Sequence, residues 1–156
     1  MNRLAWALVL VSWSAAAQVV PDLVKTPVRA SDELTQEAFC ATKWGKDARH
    51  VTAGMKAQVF SAYGLTGNDD PSCAPDKHGR RFEIDHLISR ELGGADEVGN
   101  LWPQCYNGPW GAAAKDRLEN RLHKEMCAGS ITLQQAQDML VHDWRVAYRY
   151  YFGEPK

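Results

Sequence analysis

The spacing of apolar positions divides this chain into a leader, an unpatterned arm and a patterned domain. Leu4 to Trp13 form a nearly continuous apolar run behind the positive charge of Arg3, and Ala15-Ala16-Ala17 supply small residues for cleavage before Gln18. The run falls short of the roughly 20 residues a membrane span needs, so residues 1–17 are expected to be a signal peptide. Residues 18–39 contain two prolines, Pro21 and Pro27, and show no clear period over their first half. They read as an extended arm leading into a domain at 40–152.

Within that domain the period switches between helical and strand-like. Thr52 to Tyr63 predicts a short helix, with Thr52 as its cap, Met55, Val59, Phe60 and Tyr63 on one face, and Gly64 closing it. Gly67 to Gly79 is polar and turn-rich, a surface loop. Arg81 to Leu87 alternates as a strand, with Phe82 and Ile84 on one face. Gly93-Gly94 permits a tight reversal, and Asn100 to Gln104 returns as a short second strand stopped by Pro103. Ala112 to Met126 predicts a helix through Leu118, Leu122 and Met126. Thr132 and Gln135 form a capping box opening one last helix, whose apolar stripe runs from Leu133 through Leu140, Trp144 and Tyr148 to Tyr151. The order predicts an α+β fold, with packing helices around a small hairpin.

Charge narrows the choice of partners. The chain carries 18 bases and 19 acids; loss of the leader removes one base and leaves a net charge of −2. Sequence-independent duplex binding usually shows a clear positive excess, so contact with nucleic acid must be local. No second long apolar run follows the leader, and the mature chain is expected to be a monomer with no stable membrane association, either periplasmic or secreted.

All four cysteines, Cys40, Cys73, Cys105 and Cys127, lie beyond the leader. An even count in an exported chain reads as two disulfides, with three possible pairings. The favoured one joins Cys40 to Cys127, tying the leading segment to the end of the Ala112–Met126 helix, and Cys73 to Cys105, bracing the segments that flank the first strand. A four-thiolate zinc site is the rival, but no two cysteines show the close spacing such sites prefer.

Chemistry concentrates at Glu83-Ile84-Asp85-His86, followed by Gly93-Gly94 and Asn100-Leu101-Trp102-Pro103-Gln104. Asp85 can hold a hard divalent cation. His86 can take a proton from water near neutral pH. Asn100 can bond an imidazole or a nearby backbone group. Such a set suits metal-assisted phosphodiester hydrolysis. Glu83 shares a strand face with Asp85, as a supplementary ligand or an exposed carboxylate. No serine lies in a nucleophile-elbow context, and His50, His78, His123 and His142 lack partners at ligand spacing.

Asp85-His86, Gly93-Gly94 and Asn100-Leu101 resemble, in order and spacing, the motif of the HNH endonuclease superfamily. From Cys40 to Tyr148 the chain is similar to longer secreted bacterial members, through Tyr63-Gly64, Leu101-Trp102-Pro103-Gln104, Lys115-Asp116-Arg117-Leu118-Glu119 and Asp143-Trp144. The resemblance implies a ββα-metal core. It also implies His86 as general base, Asp85 as metal ligand and Asn100 orienting His86. The cofactor would be a divalent ion, Mg²⁺ first, with Mn²⁺ and Zn²⁺ as alternatives, and the substrate nucleic acid, DNA ahead of RNA. The chain departs from that motif at the helix start, where positions 111–114 read Gly-Ala-Ala-Ala and offer no side-chain ligand. Asn107 is the upstream substitute, while Lys115 and Arg81 are candidate phosphate contacts. The alternative is a catalytically degenerate binding or structural module on the same fold.

Overall fold

The computed structural model describes residues 20–28, 30, 35–45 and 49–155. The leader lies outside the described residues. Among those described, five α-helices surround a two-stranded antiparallel sheet. Helix α1 spans Gln36–Ala41 and α2 spans Ala53–Ala62; strands β1 (Phe82–His86) and β2 (Leu101–Cys105) follow; α3 (Ala112–Cys127), α4 (Leu133–Val141) and α5 (Trp144–Phe152) complete the chain. No helix among the described residues is long and apolar enough to cross a membrane.

The local signals act where the side chains can reach. Thr52 caps α2 by accepting from the Met55 amide, and Thr132 and Gln135 form both bonds of the capping box at α4. Strand β1 pairs with β2 in register Glu83 with Gln104 and Asp85 with Trp102. Directly opposed residues share a sheet face, so these four side chains lie on one side. From the other face, Ile84 and Leu101 pack with Val59 of α2.

The main core gathers the faces of four helices. Phe39 of α1, Leu118, Leu122 and Met126 of α3, Ala136 and Leu140 of α4, and Trp144 and Tyr148 of α5 form one buried cluster. Phe39 is only 2 % exposed and brings α1 into this core. The arm lies against the hairpin: the buried Thr26 hydroxyl donates to the Leu101 carbonyl at 2.9 Å, and the Val28 amide bonds Gly99.

Three expectations change. Pro103 does not stop β2, which runs on to Cys105 with Pro103 opposite Ile84. The last helix is two. Asp143 caps α5 by accepting from the Arg145 amide, and the break at His142-Asp143 turns α5 so that both apolar faces reach the same core. Nor is Gly93-Gly94 a tight hairpin turn. Residues 87–100 separate the strands and include 3₁₀ turns at Arg90–Leu92 and Val98–Asn100. Gly93 closes the first turn with φ 84°. A side chain on Gly94 would put its Cβ 1.7 Å from the Ile88 carbonyl oxygen, so only glycine lets these two stretches meet.

The two disulfides are Cys40–Cys127 and Cys73–Cys105, the favoured pairing. The first fixes α1 to the end of α3; the second fixes the loop before β1 to the end of β2.

Candidate active site

Of the motif residues, Asp85 and His86 line an open cleft of about 500 Å³ between the end of β1, the long connection and α3. Asp85, His86, Ser89 and Glu91 come from β1 and the connection, Asp116, Glu119 and Asn120 from α3, and Arg49 and Arg90 add two cations.

His86 is 5 % exposed, and its Nε2 lies 2.7 Å from Oδ1 of Asp96. Asp96 also accepts from the His50 amide at 2.7 Å and faces Arg90 at 3.6 Å. Against the pull of partial burial, the His50 amide, His86 and Arg90 hold Asp96 below the usual carboxylate range. An ionised carboxylate only accepts, so it fixes the proton on Nε2 and leaves the Nδ1 lone pair basic. Burial, and then the Arg49 guanidinium, push the imidazole below its ordinary pKa, opposed by the charges of Asp85 and Asp96. A neutral imidazole at pH 7 is the form a general base requires.

Asn100 takes the second of its two expected roles. Fully buried, it accepts from the Ile88 amide at 3.0 Å and donates to the carbonyls of Ile88 and Ala95. It fixes the connection as it leaves β1, and so places His86 through the backbone. Asp96 is the residue that holds the imidazole. The sequence offered one signal for it: a carboxylate ten positions after the histidine, behind the glycine pair that folds the connection back.

Lys115 is fully buried. Its ammonium donates to Asp85 Oδ2 at 2.7 Å, to the His86 carbonyl at 2.5 Å and to Glu119. Burial works against the charge, but Asp85 and Glu119 hold the ammonium above its ordinary pKa. Burial pushes Glu119 up. Enclosed in this way, Lys115 positions Asp85 and is not open to a phosphate. Arg81 donates to the Cys73 carbonyl and pins the disulfide loop. Asn107 donates to the Pro75 carbonyl on an exposed turn and does not line the cleft. Gly111 has no room for a side chain, since a Cβ there would lie 2.4 Å from the Tyr106 carbonyl oxygen.

Asp116, one residue past Lys115, is the carboxylate that sequence reasoning passed over. Desolvation and then the Asp85 charge raise its pKa. Burial, then Asp85 and Asp116, push Glu83 up to about 7. The cleft wall carries four carboxylates, Asp85, Glu91, Asp116 and Glu119, against two guanidinium groups. The buried Ser89 hydroxyl has no hydrogen-bond partner among the described residues. Among the described residues, Cys40, His123 and Cys127 are the one group of three His, Cys, Asp or Glu close enough to share an ion. Those two cysteines are joined as a disulfide and offer no thiolate.

No family model matches this chain, and no match was found among curated proteins or solved structures.

Proposed function

We propose that this chain is an exported, metal-assisted phosphodiester hydrolase of the HNH type, acting on nucleic acid, with DNA ahead of RNA. The observation that carries the reading is the His86–Asp96 pair at the wall of an open, acidic cleft. The order β1, β2, α3 is the one the resemblance implies, and residues of β1 and α3 line that cleft.

The donor set fits a hard divalent ion. Asp85, Glu91, Asp116 and Glu119 offer carboxylate oxygens at the cleft wall, the donor type a hard cation takes. Mg²⁺ needs only one or two carboxylates and keeps its waters, which suits a cleft without a three-ligand group. Asp85 and Asp116 would hold it, and Asp116 takes the place given to Asn107. When bound, the ion would supply charge stabilisation at the phosphoryl and leaving oxygens. Asp96 holds the His86 tautomer, and the free imidazole nitrogen takes the proton of an attacking water. Lys115 holds the Asp85 carboxylate in place, and the unpartnered Ser89 hydroxyl offers a hydrogen bond to a bound oxygen. Two disulfides in a chain with an expected leader suit a periplasmic or secreted monomer.

Incubating the protein with supercoiled plasmid and Mg²⁺ or Mn²⁺ tests this. Nicking should be lost with chelator and in His86→Ala; nicking that survives His86→Ala overturns the assignment. One observation favours a binding module instead: Lys115 already supplies Asp85 with a cation. Calorimetric titration with Mn²⁺ separates the two, since the module predicts no heat that depends on Asp85 and Asp116.

A further inference from the structure

A second hollow, about 260 Å³, lies on the far side of Arg49 from the cleft, and Arg49 lines both. Its character is opposite. Arg49, Lys56 and Arg80 are its cations, Glu83 its one carboxylate, and Asn68, Phe60 and Tyr106 lie between them. The Arg80 guanidinium sits over the Tyr106 ring at 4.1 Å, its Nε and Nη2 both donate to Asp76 Oδ2 at 2.9 and 2.7 Å, and the Arg80 backbone amide donates to Oδ1. It is thus held as a flat, fixed plate. Arg49 faces Glu83 at 3.9 Å. Lys56 is exposed and has no carboxylate partner among the described residues.

We propose that this hollow binds one nucleotide of a single strand, its phosphate at Lys56 and Arg49 and its base stacked on the Arg80–Tyr106 plate, beside the scissile position. The inference rests on the hydrolase reading for its sense but not for its test. Bases stack on aromatic rings and on guanidinium planes alike. Phe82, Glu83 and Ile84 border the hollow while Asp85 and His86 border the cleft, so the two adjoin along β1, their lining residues about 3–13 Å apart at the strand rise. A polyanion laid along β1 therefore meets an acidic cleft and a cationic hollow in succession. The hollow supplies local affinity in a chain whose overall charge is −1.

The test is fluorescence anisotropy of a short fluorescein-labelled single-stranded oligodeoxynucleotide against the disulfide-bonded protein, with chelator present. Lys56→Glu should weaken binding at least about tenfold and lower the salt slope by about one. Tyr106→Ala should weaken it by a similar factor with little change in slope. Thymidine monophosphate should compete where inorganic phosphate at the same concentration does not. Unchanged binding in both Lys56→Glu and Tyr106→Ala overturns the inference, as does equal competition by inorganic phosphate, which would make the hollow a bare anion site. Binding without any ion-dependent nicking would strike the hydrolase reading and leave the hollow standing. Nicking that persists with no effect of either hollow variant on binding would strike the hollow alone.

Discussion

The Lys115 ammonium, carried on the first turn of α3, lies 2.7 Å from Oδ2 of Asp85 on β1 and also bonds Glu119. One buried cation thus holds a strand carboxylate and a helix carboxylate together. Lys115→Met would leave two acids in a dry site without their counter-ion. Breaking a buried pair from one side costs about 3–5 kcal/mol, and urea unfolding at pH 7 should show a loss of that size. A variant as stable as the parent at pH 7 would show that the trio does not hold the helix to the strand.

Asp96 sets the protonation of His86. If the imidazole is the base, kcat/KM should fall as pH drops through a value below 6.5, because burial lowers the His86 pKa. Asp96→Asn removes a charge that favours imidazolium, so the acid limb should move to still lower pH. The amide also no longer fixes the tautomer, and the plateau rate should fall by about 10² or more, within the range a positioned base contributes. A full-rate variant with an unshifted limb would place the base elsewhere.

Glu83 should penalise the fold at alkaline pH. Its carboxyl is pushed up to about 7, against an ordinary value of 4.5. The folded state therefore holds its proton through a range in which the unfolded state has lost it. Stability falls with rising pH wherever the folded state binds more protons. The penalty grows between about pH 4.5 and 7 and then levels. Glu83→Gln should raise the urea midpoint at pH 8 and leave it nearly unchanged at pH 4. Equal gains at both pH values would point to packing instead of charge.

The Cys40–Cys127 bridge closes 87 residues of sequence between α1 and the end of α3. Replacing both cysteines with alanine should cost about 2–5 kcal/mol, read as a lowered midpoint in chemical denaturation. Because the bridge lies at the opposite end of α3 from Lys115, the Lys115→Met penalty should be nearly additive with it. Strong coupling between the two would mean that α3 and its packing loosen as one unit.

Local order was written in the chain. Alternation at Phe82, Ile84 and His86 specifies a strand, Thr52 and Thr132 fix where helices begin, and the even cysteine count specifies bridges. These signals need only neighbours within a few residues. Asp85, His86 and Asn100 were equally legible as a group, because their spacing surrounds a glycine pair that can be used only by a returning chain. The roles within the group were not legible. Asp96 reaches His86 only after the connection folds back, Lys115 meets Asp85 only when α3 docks on β1, and Asp116 enters the cleft on the same docking. The last apolar stripe shows the same limit: periodicity runs straight through His142-Asp143, but a turn there lets both halves cover one core. Pairings across distant elements depend on which faces pack together, and tertiary burial sets that, since it alone decides which charges lose water and must find each other.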